Sequence, residues 1–117
     1  MQSSAKSAAI DGTFIALADP TRRAVVEMLR SGPRRAGELS DALDMTPPAM
    51  SRHLKVLRAA GLVEPAFDEA DARAKVYSLR RERFTELRDW LAQVDRFWTN
   101  QLGNFAKYAE RTRGKKR

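Results

Sequence analysis

Cysteine is absent from this 117-residue chain, and histidine occurs once, at His53. The first absence excludes disulfides, thiolate metal sites, iron–sulfur clusters and thiol nucleophiles, and the second excludes a site built on two histidines of one chain. No apolar run approaches the roughly 20 residues that a membrane helix needs, and residues 1–9 are unlike a signal peptide. We therefore expect a cytoplasmic protein without membrane contact, metal or cofactor, one that binds a partner and is not an enzyme.

The positive charge of the chain is concentrated near its C-terminal end. The net charge is +7, and residues 107–117 hold six Lys or Arg and one Glu, which amounts to +5. A tail of this kind is commonly a solvated end, so an argument for nucleic-acid binding needs basic residues within the fold. The length fits one domain. We divide the chain into a flexible N-terminus (1–9), a folded domain (10–106) and the basic tail (107–117).

Capping and turn residues divide the folded domain into short elements. Asp19-Pro20 predicts the start of a helix, because Asp accepts N–H bonds of the first turn and Pro is preset for its first position. Gly32-Pro33 predicts its end. Thr46-Pro47 and Gly61 bound another helix in the same way. The other predicted elements are a first helix through Ile10, Phe14 and Leu17, a short helix at 36–43, strands at 63–67 and 75–79, and a long last helix from Phe84 to Phe105.

The order of these elements predicts a winged helix-turn-helix fold. The short helix joins the capped helix through a tight turn at Asp44, a residue type that tolerates the left-handed conformation. A helix pair joined in this way and followed by a hairpin has this plan. Pro65 makes the first strand an edge strand, because proline cannot donate to a ladder. The predicted fold class is mainly α with a small β-hairpin wing.

The helix after Thr46 combines a predicted buried face with a basic exposed face. Met50, Leu54 and Leu57 recur at helical spacing and predict the buried face. Segment 46–61 contains three Lys or Arg and no acid, and an α-helix fits the major groove of double-stranded DNA. A solvated basic face is the alternative, but the turn, the cap and the hairpin favour DNA binding. The predicted DNA-facing residues are Pro48, Ser51, Arg52 and Lys55, with Thr46 and Pro47 placing the helix start near a phosphate.

Four segments form a recognisable signature: Leu17-Ala-Asp-Pro-Thr-Arg-Arg23, Gly37-Glu-Leu39, Ser51-Arg-His-Leu-Lys-Val-Leu57 and Ala60-Gly-Leu-Val63. Together they resemble the ArsR/SmtB family of bacterial transcriptional repressors. The resemblance implies a homodimer whose long first and last helices form the interface, and an operator complex that an inducer releases. A two-fold dimer would bind an inverted repeat. The residues that match the family's base-contacting positions are Pro47, Pro48, Ser51 and Arg52, with His53 and Lys55 nearby.

The sequence departs from the family pattern at three places. Pro47 stands where many members carry a polar residue. Arg35 stands where Ser or Thr usually caps the third helix, which removes a cap but offers a phosphate ligand. Segment 68–75, the expected wing tip, holds three acids that would repel phosphates, so Arg73 and Lys75 are the DNA-contact candidates of the wing.

The last predicted helix carries more apolar surface than a small chain can cover, which predicts a dimer interface. The family's metal sensors use cysteines or an Asp/His/Glu cluster that this sequence lacks, so the resemblance is to the metal-independent branch, with an unknown small molecule or protein as the inducer. The alternative is a winged-helix module that acts mainly through protein–protein interaction. The predicted interface residues are Phe14, Leu87, Trp90, Leu91, Val94, Phe97, Trp98, Leu102 and Phe105.

Overall fold

The computed structural model describes residues 2–71 and 73–115, with side chains from 7 to 71 and from 73 to 112. Lys116 and Arg117, the end of the predicted basic tail, lie outside the described residues. Five helices and three strands follow one another along the described chain. They are α1 (Gln2–Leu17), α2 (Pro20–Leu29), β1 (Arg34–Arg35), α3 (Ala36–Ala42), α4 (Pro47–Ala59), β2 (Val63–Phe67), β3 (Lys75–Leu79) and α5 (Arg81–Lys115).

The chain divides into two compact units, Met1–Thr85 and Glu86–Arg117. The first unit contains the elements from α1 to β3 and the first residues of α5. The second unit consists of the rest of α5. The winged helix-turn-helix predicted from the sequence is therefore confirmed within the first unit.

The starts of α2 and α4 are capped as the sequence predicts. The Oδ2 atom of Asp19 accepts a hydrogen bond from the backbone N–H of Arg22 at 3.0 Å. The hydroxyl oxygen of Thr46 accepts one from the backbone N–H of Ala49 at 3.3 Å. Because each cap satisfies an N–H that lacks a partner within its helix, these residues determine where the two helices begin.

The end of α4 and the turn before it use backbone with positive φ. Gly61 has a φ of 78° and Asp44 has a φ of 52°. After α4, the N–H of Gly61 donates to the carbonyl of Arg58, and the N–H of Leu62 donates to the carbonyl of Leu57, both at 3.0 Å. This pair of bonds is a Schellman motif, so the predicted helix end at Gly61 is confirmed.

The core of the first unit combines residues from four helices and one strand. The predicted buried face of α4 is confirmed. The first helix contributes the small side chains of Thr13 and Ala16, whereas Phe14, one of the residues that predicted it, is 41% exposed. Because Thr13 and Ala16 have small side chains, the backbone of α1 lies close to the core. The buried apolar residues are Ala16, Val25, Leu29, Leu39, Met50, Leu54, Leu57, Leu62 and Val63.

The sheet has three antiparallel strands in the order β1-β3-β2. The two predicted strands have the observed bounds, and Pro65 lies on the edge strand β2 opposite Tyr77. The short strand β1 was not predicted. Arg34 pairs with Tyr77 and Arg35 pairs with Val76. A strand of two residues is too short to show a periodic pattern. It forms because one edge of β3 is free to pair with it.

Two predicted boundaries do not coincide with helix ends. The helix α1 begins at Gln2, eight residues before the predicted folded domain. The helix α5 continues to Lys115, well into the predicted tail. Segment 2–9 has no apolar face to reveal a helix, but its Ser, Ala and Lys residues are compatible with one.

Candidate nucleic-acid interface

The helix α4 presents one buried face and one exposed face. Met50, Leu54 and Leu57 pack in the core. The side chains on the opposite face form no ion pair or hydrogen bond within the described chain, so their polar atoms are available to a ligand. The exposed predicted contact residues are Pro47, Pro48, Ser51, Arg52 and Lys55.

The prolines at the start of α4 already weaken the predicted phosphate site, and the structure reduces its donors further. Pro47 and Pro48 have no N–H, and the N–H of Ala49 is occupied by the side chain of Thr46. The N–H of Met50 donates to the carbonyl of Thr46 at 3.0 Å. The first turn therefore offers no free backbone donor, and a phosphate there would depend on the hydroxyl and the backbone N–H of Thr46.

His53 points away from the exposed face of α4. Its side chain is 20% exposed, and its Nδ1 atom lies 3.3 Å from the Nη1 atom of Arg22. The Oδ2 atom of Asp19 lies 3.9 Å from the same ring nitrogen. This placement favours a role in joining α4 to the junction of α1 and α2 over the DNA contact predicted from the sequence.

Two arginines at that junction have a structural role that the sequence analysis did not predict. Arg22 donates from Nε to the carbonyl of Ala16 at 2.6 Å and from Nη2 to the carbonyl of Ile15 at 3.2 Å. Arg23 donates from Nη1 to the carbonyl of Leu17 at 2.7 Å. Both guanidinium groups therefore donate to carbonyls in the last turn of α1, where intrahelical donors run out, although the carbonyl of Ile15 also accepts from the N–H of Ala18 at 3.3 Å. The Asp-Pro-Thr-Arg-Arg motif contains both arginines. However, hydrophobic periodicity does not reveal that their side chains turn back to the carbonyls of α1.

Arg35, predicted as a phosphate ligand, forms an ion pair with the wing, which we define as residues 63–79. Its Nη2 atom lies 2.6 Å from the Oδ2 atom of Asp68. This hydrogen bond lowers the pKa of Asp68, with a further contribution from the N–H of Ala70, and it raises the pKa of Arg35. The N–H of Arg35 also donates to Glu38 at 3.1 Å, which partly replaces the missing cap of α3.

The acids at the wing tip have a structural role. Asp68 accepts a hydrogen bond from the N–H of Ala70, and Asp71 accepts one from the N–H of Arg73, both at 3.0 Å. Such Asx turns shape short connections. Arg73 and Lys75 are exposed and form no ion pair within the described chain. The wing therefore presents two basic side chains beside acids that also maintain its shape.

The second unit carries an exposed apolar stripe along α5. The rings of Phe97 and Trp98 meet edge to face with centroids 5.8 Å apart. Trp98 is 58% exposed and Phe105 is 71% exposed, while Leu87 and Val94 are half-buried. At 1.5 Å per residue, the stripe from Leu87 to Phe105 is about 27 Å long. The other exposed apolar residues are Trp90, Leu91, Leu102 and Tyr108.

Comparison with known proteins identifies the family. The family model described as "Bacterial regulatory protein, arsR family" matches residues 19–65. The chain is 43% identical over 97 residues to the HTH-type transcriptional regulator Rv2034 of Mycobacterium tuberculosis (strain ATCC 25618 / H37Rv), covering 83% of this chain and 85% of that protein. The chain belongs to the ArsR family of bacterial regulatory proteins.

Two further similarities agree with this assignment to the ArsR family. The chain is 27% identical over 82 residues to the transcriptional repressor SdpR of Bacillus subtilis (strain 168), covering 70% of this chain and 88% of that protein. The crystal structure of an ArsR family transcriptional regulator, RHA00566, matches with a TM-score of 0.71 at 33% identity, covering 80% of this chain and 93% of that chain. The ArsR-family chain is thus a winged-helix, DNA-binding transcriptional regulator and not an enzyme.

The described residues add two observations about other kinds of site. They contain no group of three or more His, Asp or Glu side chains arranged to hold a metal ion. No helix among them combines the length and the apolarity needed to cross a bilayer.

Proposed function

We propose that this ArsR-family chain is a homodimeric, sequence-specific repressor that acts in the cytoplasm on an inverted-repeat operator and is released by a signal other than a metal. The observation that carries the proposal is the exposed face of α4, where Ser51, Arg52 and Lys55 have no partner within the described chain. Repression is supported by the similarity to SdpR, whose name describes a transcriptional repressor.

The side chains on this face suit different parts of DNA. The planar guanidinium of Arg52 matches the O6 and N7 atoms of guanine, a pairing that a lysine cannot reproduce. Ser51 can bond either a base edge or a phosphate. Lys55 is a flexible point charge and suits a phosphate. We therefore assign base reading to Arg52 and backbone contact to Lys55, with Arg73 and Lys75 as phosphate contacts from the wing.

Homodimerisation is proposed from the apolar stripe of α5. Aromatic and aliphatic side chains exposed along about 27 Å of helix exceed the scattered apolar residues that are normal on a monomer surface. A second copy of the same helix offers a matching stripe. Two recognition helices related by a two-fold axis would bind half-sites about 10 bp apart or a multiple of that distance.

A non-metal signal is proposed from the available ligand types. Zinc sites in proteins use mainly sulfur and imidazole nitrogen, and this chain has no cysteine. The Nδ1 atom of its one histidine faces the guanidinium of Arg22, which disfavours a cation at that nitrogen. We therefore propose a small molecule or a protein as the inducer.

Selection of DNA from a random library by the purified chain tests this proposal. We expect enrichment of an inverted repeat, and light scattering of the complex should give two chains per DNA duplex. Enrichment of a single asymmetric site by a monomer would contradict the dimeric model. If no sequence is enriched at low salt, the chain does not read DNA in this way, and the protein-interaction module becomes the better account.

A further inference from the structure

A hollow of about 300 Å³ in the first unit is lined by three arginines. Arg58 comes from the last turn of α4, Arg80 from the residue between β3 and α5, and Arg83 from the first turn of α5. The remaining lining residues are alanines and glycines of α1 and of the end of α4, and none of the lining residues is acidic. The hollow is therefore lined by cationic side chains and by short ones.

Two of the arginine charges around this hollow, those of Arg58 and Arg80, are weakly compensated by the protein. Arg58 forms no ion pair within the described chain. The Nε atom of Arg80 lies 3.8 Å from Glu64 and 3.7 Å from Glu82, and such long, solvent-exposed pairs contribute little. Because a guanidinium group stays protonated, the repulsion between these cations is not relieved by loss of a proton. An anion in the hollow would relieve it.

The end of α4 does not need these arginines as caps. The Schellman motif already provides backbone donors for the carbonyls of Leu57 and Arg58. Arg83 passes close to Gly61, because a Cβ built on Gly61 would lie 3.3 Å from both the Cγ and the Nε atoms of Arg83. The lack of a side chain at Gly61 thus lets a guanidinium group approach the helix end.

The hollow lies beyond the C-terminal end of the face that we propose reads DNA, since Arg58 follows Lys55 by three residues on α4. It lies at the C-terminal end of α4, and a helix of 13 residues is about 20 Å long. Helix-turn-helix proteins contact bases with the N-terminal residues of this helix. The hollow is instead bordered by α1 and by the start of α5. These observations favour a small ligand over the DNA backbone.

We propose that this hollow binds a small molecule that carries two or more negative charges on phosphate or carboxylate groups. The planar forks of arginine match the oxygen geometry of both groups, and the volume lies at the lower end of the range for small-molecule sites. The site would connect the recognition helix with the start of α5. The inference goes beyond the proposed function, and ligand binding here does not depend on DNA binding.

Calorimetric titration of the full chain with pyrophosphate and with citrate, in chloride buffer without DNA, tests this site. We expect saturable binding of at least one probe with one site per chain. Arg58→Gln and Arg80→Gln should each weaken binding by about tenfold or more, the effect of losing a charge-assisted hydrogen bond. Arg52→Gln removes the same charge from the middle of α4, six residues before Arg58, and should leave binding unchanged. Thermal unfolding of each variant checks that it is folded.

The outcomes separate the proposal from its competitors. Binding of pyrophosphate alone would identify the ligand class as phosphate, and binding of citrate alone as carboxylate. The absence of saturable binding of both probes would overturn the proposal. An equal loss in Arg52→Gln would place the anion on the DNA-reading face and would also overturn it. A loss of DNA affinity in Arg58→Gln, with neither probe bound by the wild type, would identify a DNA-phosphate contact instead.

Discussion

The Nδ1 atom of His53 lies 3.3 Å from the Nη1 atom of Arg22 and joins the recognition helix to the junction of α1 and α2. The guanidinium can donate only if this nitrogen is unprotonated, so the contact requires a neutral imidazole with its proton on Nε2. The same guanidinium caps the end of α1 through the carbonyls of Ile15 and Ala16. One arginine side chain therefore links three helices of the first unit, α1, α2 and α4.

Replacement of His53 by Ala should lower stability rather than change DNA specificity. We expect the free energy of unfolding to fall by about 1 kcal/mol, the usual contribution of one hydrogen bond. The ratio of operator affinity to non-specific affinity should stay within about threefold, because a base contact would contribute at least 1 kcal/mol. Urea denaturation and DNA titration measure the two effects. A loss of specificity at unchanged stability would make His53 a base contact.

Release of Arg35 from Asp68 should increase the number of phosphate contacts. If the proposed DNA binding by a dimer holds, Asp68→Asn should raise DNA affinity and steepen the slope of log affinity against log salt concentration by about 1.8, which is about 0.9 for the one extra phosphate that each subunit neutralises. Glu69→Gln is the matched control, because it removes the same charge from the wing tip and leaves Arg35 paired with Asp68. It should raise affinity without steepening the slope.

The double variant Arg35→Gln/Asp68→Asn completes this test. The extra slope should disappear, because the guanidinium released by the first substitution is then absent. If Asp68→Asn and Glu69→Gln have identical slopes, Arg35 does not reach a phosphate. The wing would then contact DNA through Arg73 and Lys75 alone.

Acid should destabilise the fold through Asp19 and Asp68. The N–H of Arg22 is the main cause that lowers the pKa of Asp19 below its ordinary value of 3.8, and the Arg35 hydrogen bond lowers the pKa of Asp68. The unfolded chain therefore takes up protons first as the pH falls. The stabilisation is fully present above the ordinary pKa and is lost as the pH falls through the lowered pKa.

The variant Asp19→Asn isolates this effect, because asparagine is an equally good cap but does not titrate. Its melting temperature should vary less than that of the wild type between about pH 5 and pH 2. Asp41→Asn is the control, since the carboxylate of Asp41 makes no hydrogen bond within the described chain, and its profile should follow the wild type. A wild-type profile in Asp19→Asn would show that the cap charge does not contribute.

A charge in the α5 stripe should prevent the proposed dimer. Leu91→Glu places a carboxylate among exposed apolar side chains, and we expect a monomer by light scattering at micromolar concentration. Gln93→Glu adds the same charge two residues further along the helix, outside the stripe, and should remain dimeric. If the wild type is a monomer at these concentrations, or if both variants dissociate equally, the stripe is not the interface.

The elements that the sequence predicted well are those with local causes. Asp19, Thr46 and Gly61 act within a few residues of their own positions, so their caps were visible in the chain. Alternation and turn residues predicted β2 and β3 for the same reason. The strand β1 could not be found, because its two residues are organised by a partner strand about 40 residues away.

The site was predicted less completely than the fold, because long-range partners change the role of a residue. Arg52 and Lys55 have no long-range partner within the described chain, so the helical pattern was enough to predict that they lie on the exposed face. Arg35 and Asp68 are 33 positions apart, and no local pattern indicates that a predicted phosphate ligand is paired with an acid. The same holds for His53 and Arg22, which are 31 positions apart.

The most direct test of the account compares Arg52→Ala with Lys55→Ala on the selected operator and on scrambled DNA at several salt concentrations. Arg52→Ala should weaken operator binding by roughly 1–3 kcal/mol per contact and relax the preference at one base pair in each half-site, with little effect on scrambled DNA. Lys55→Ala should weaken both DNAs about equally and flatten the salt dependence. An equal loss on both DNAs in Arg52→Ala would contradict the assignment of Arg52 as the residue that reads the operator.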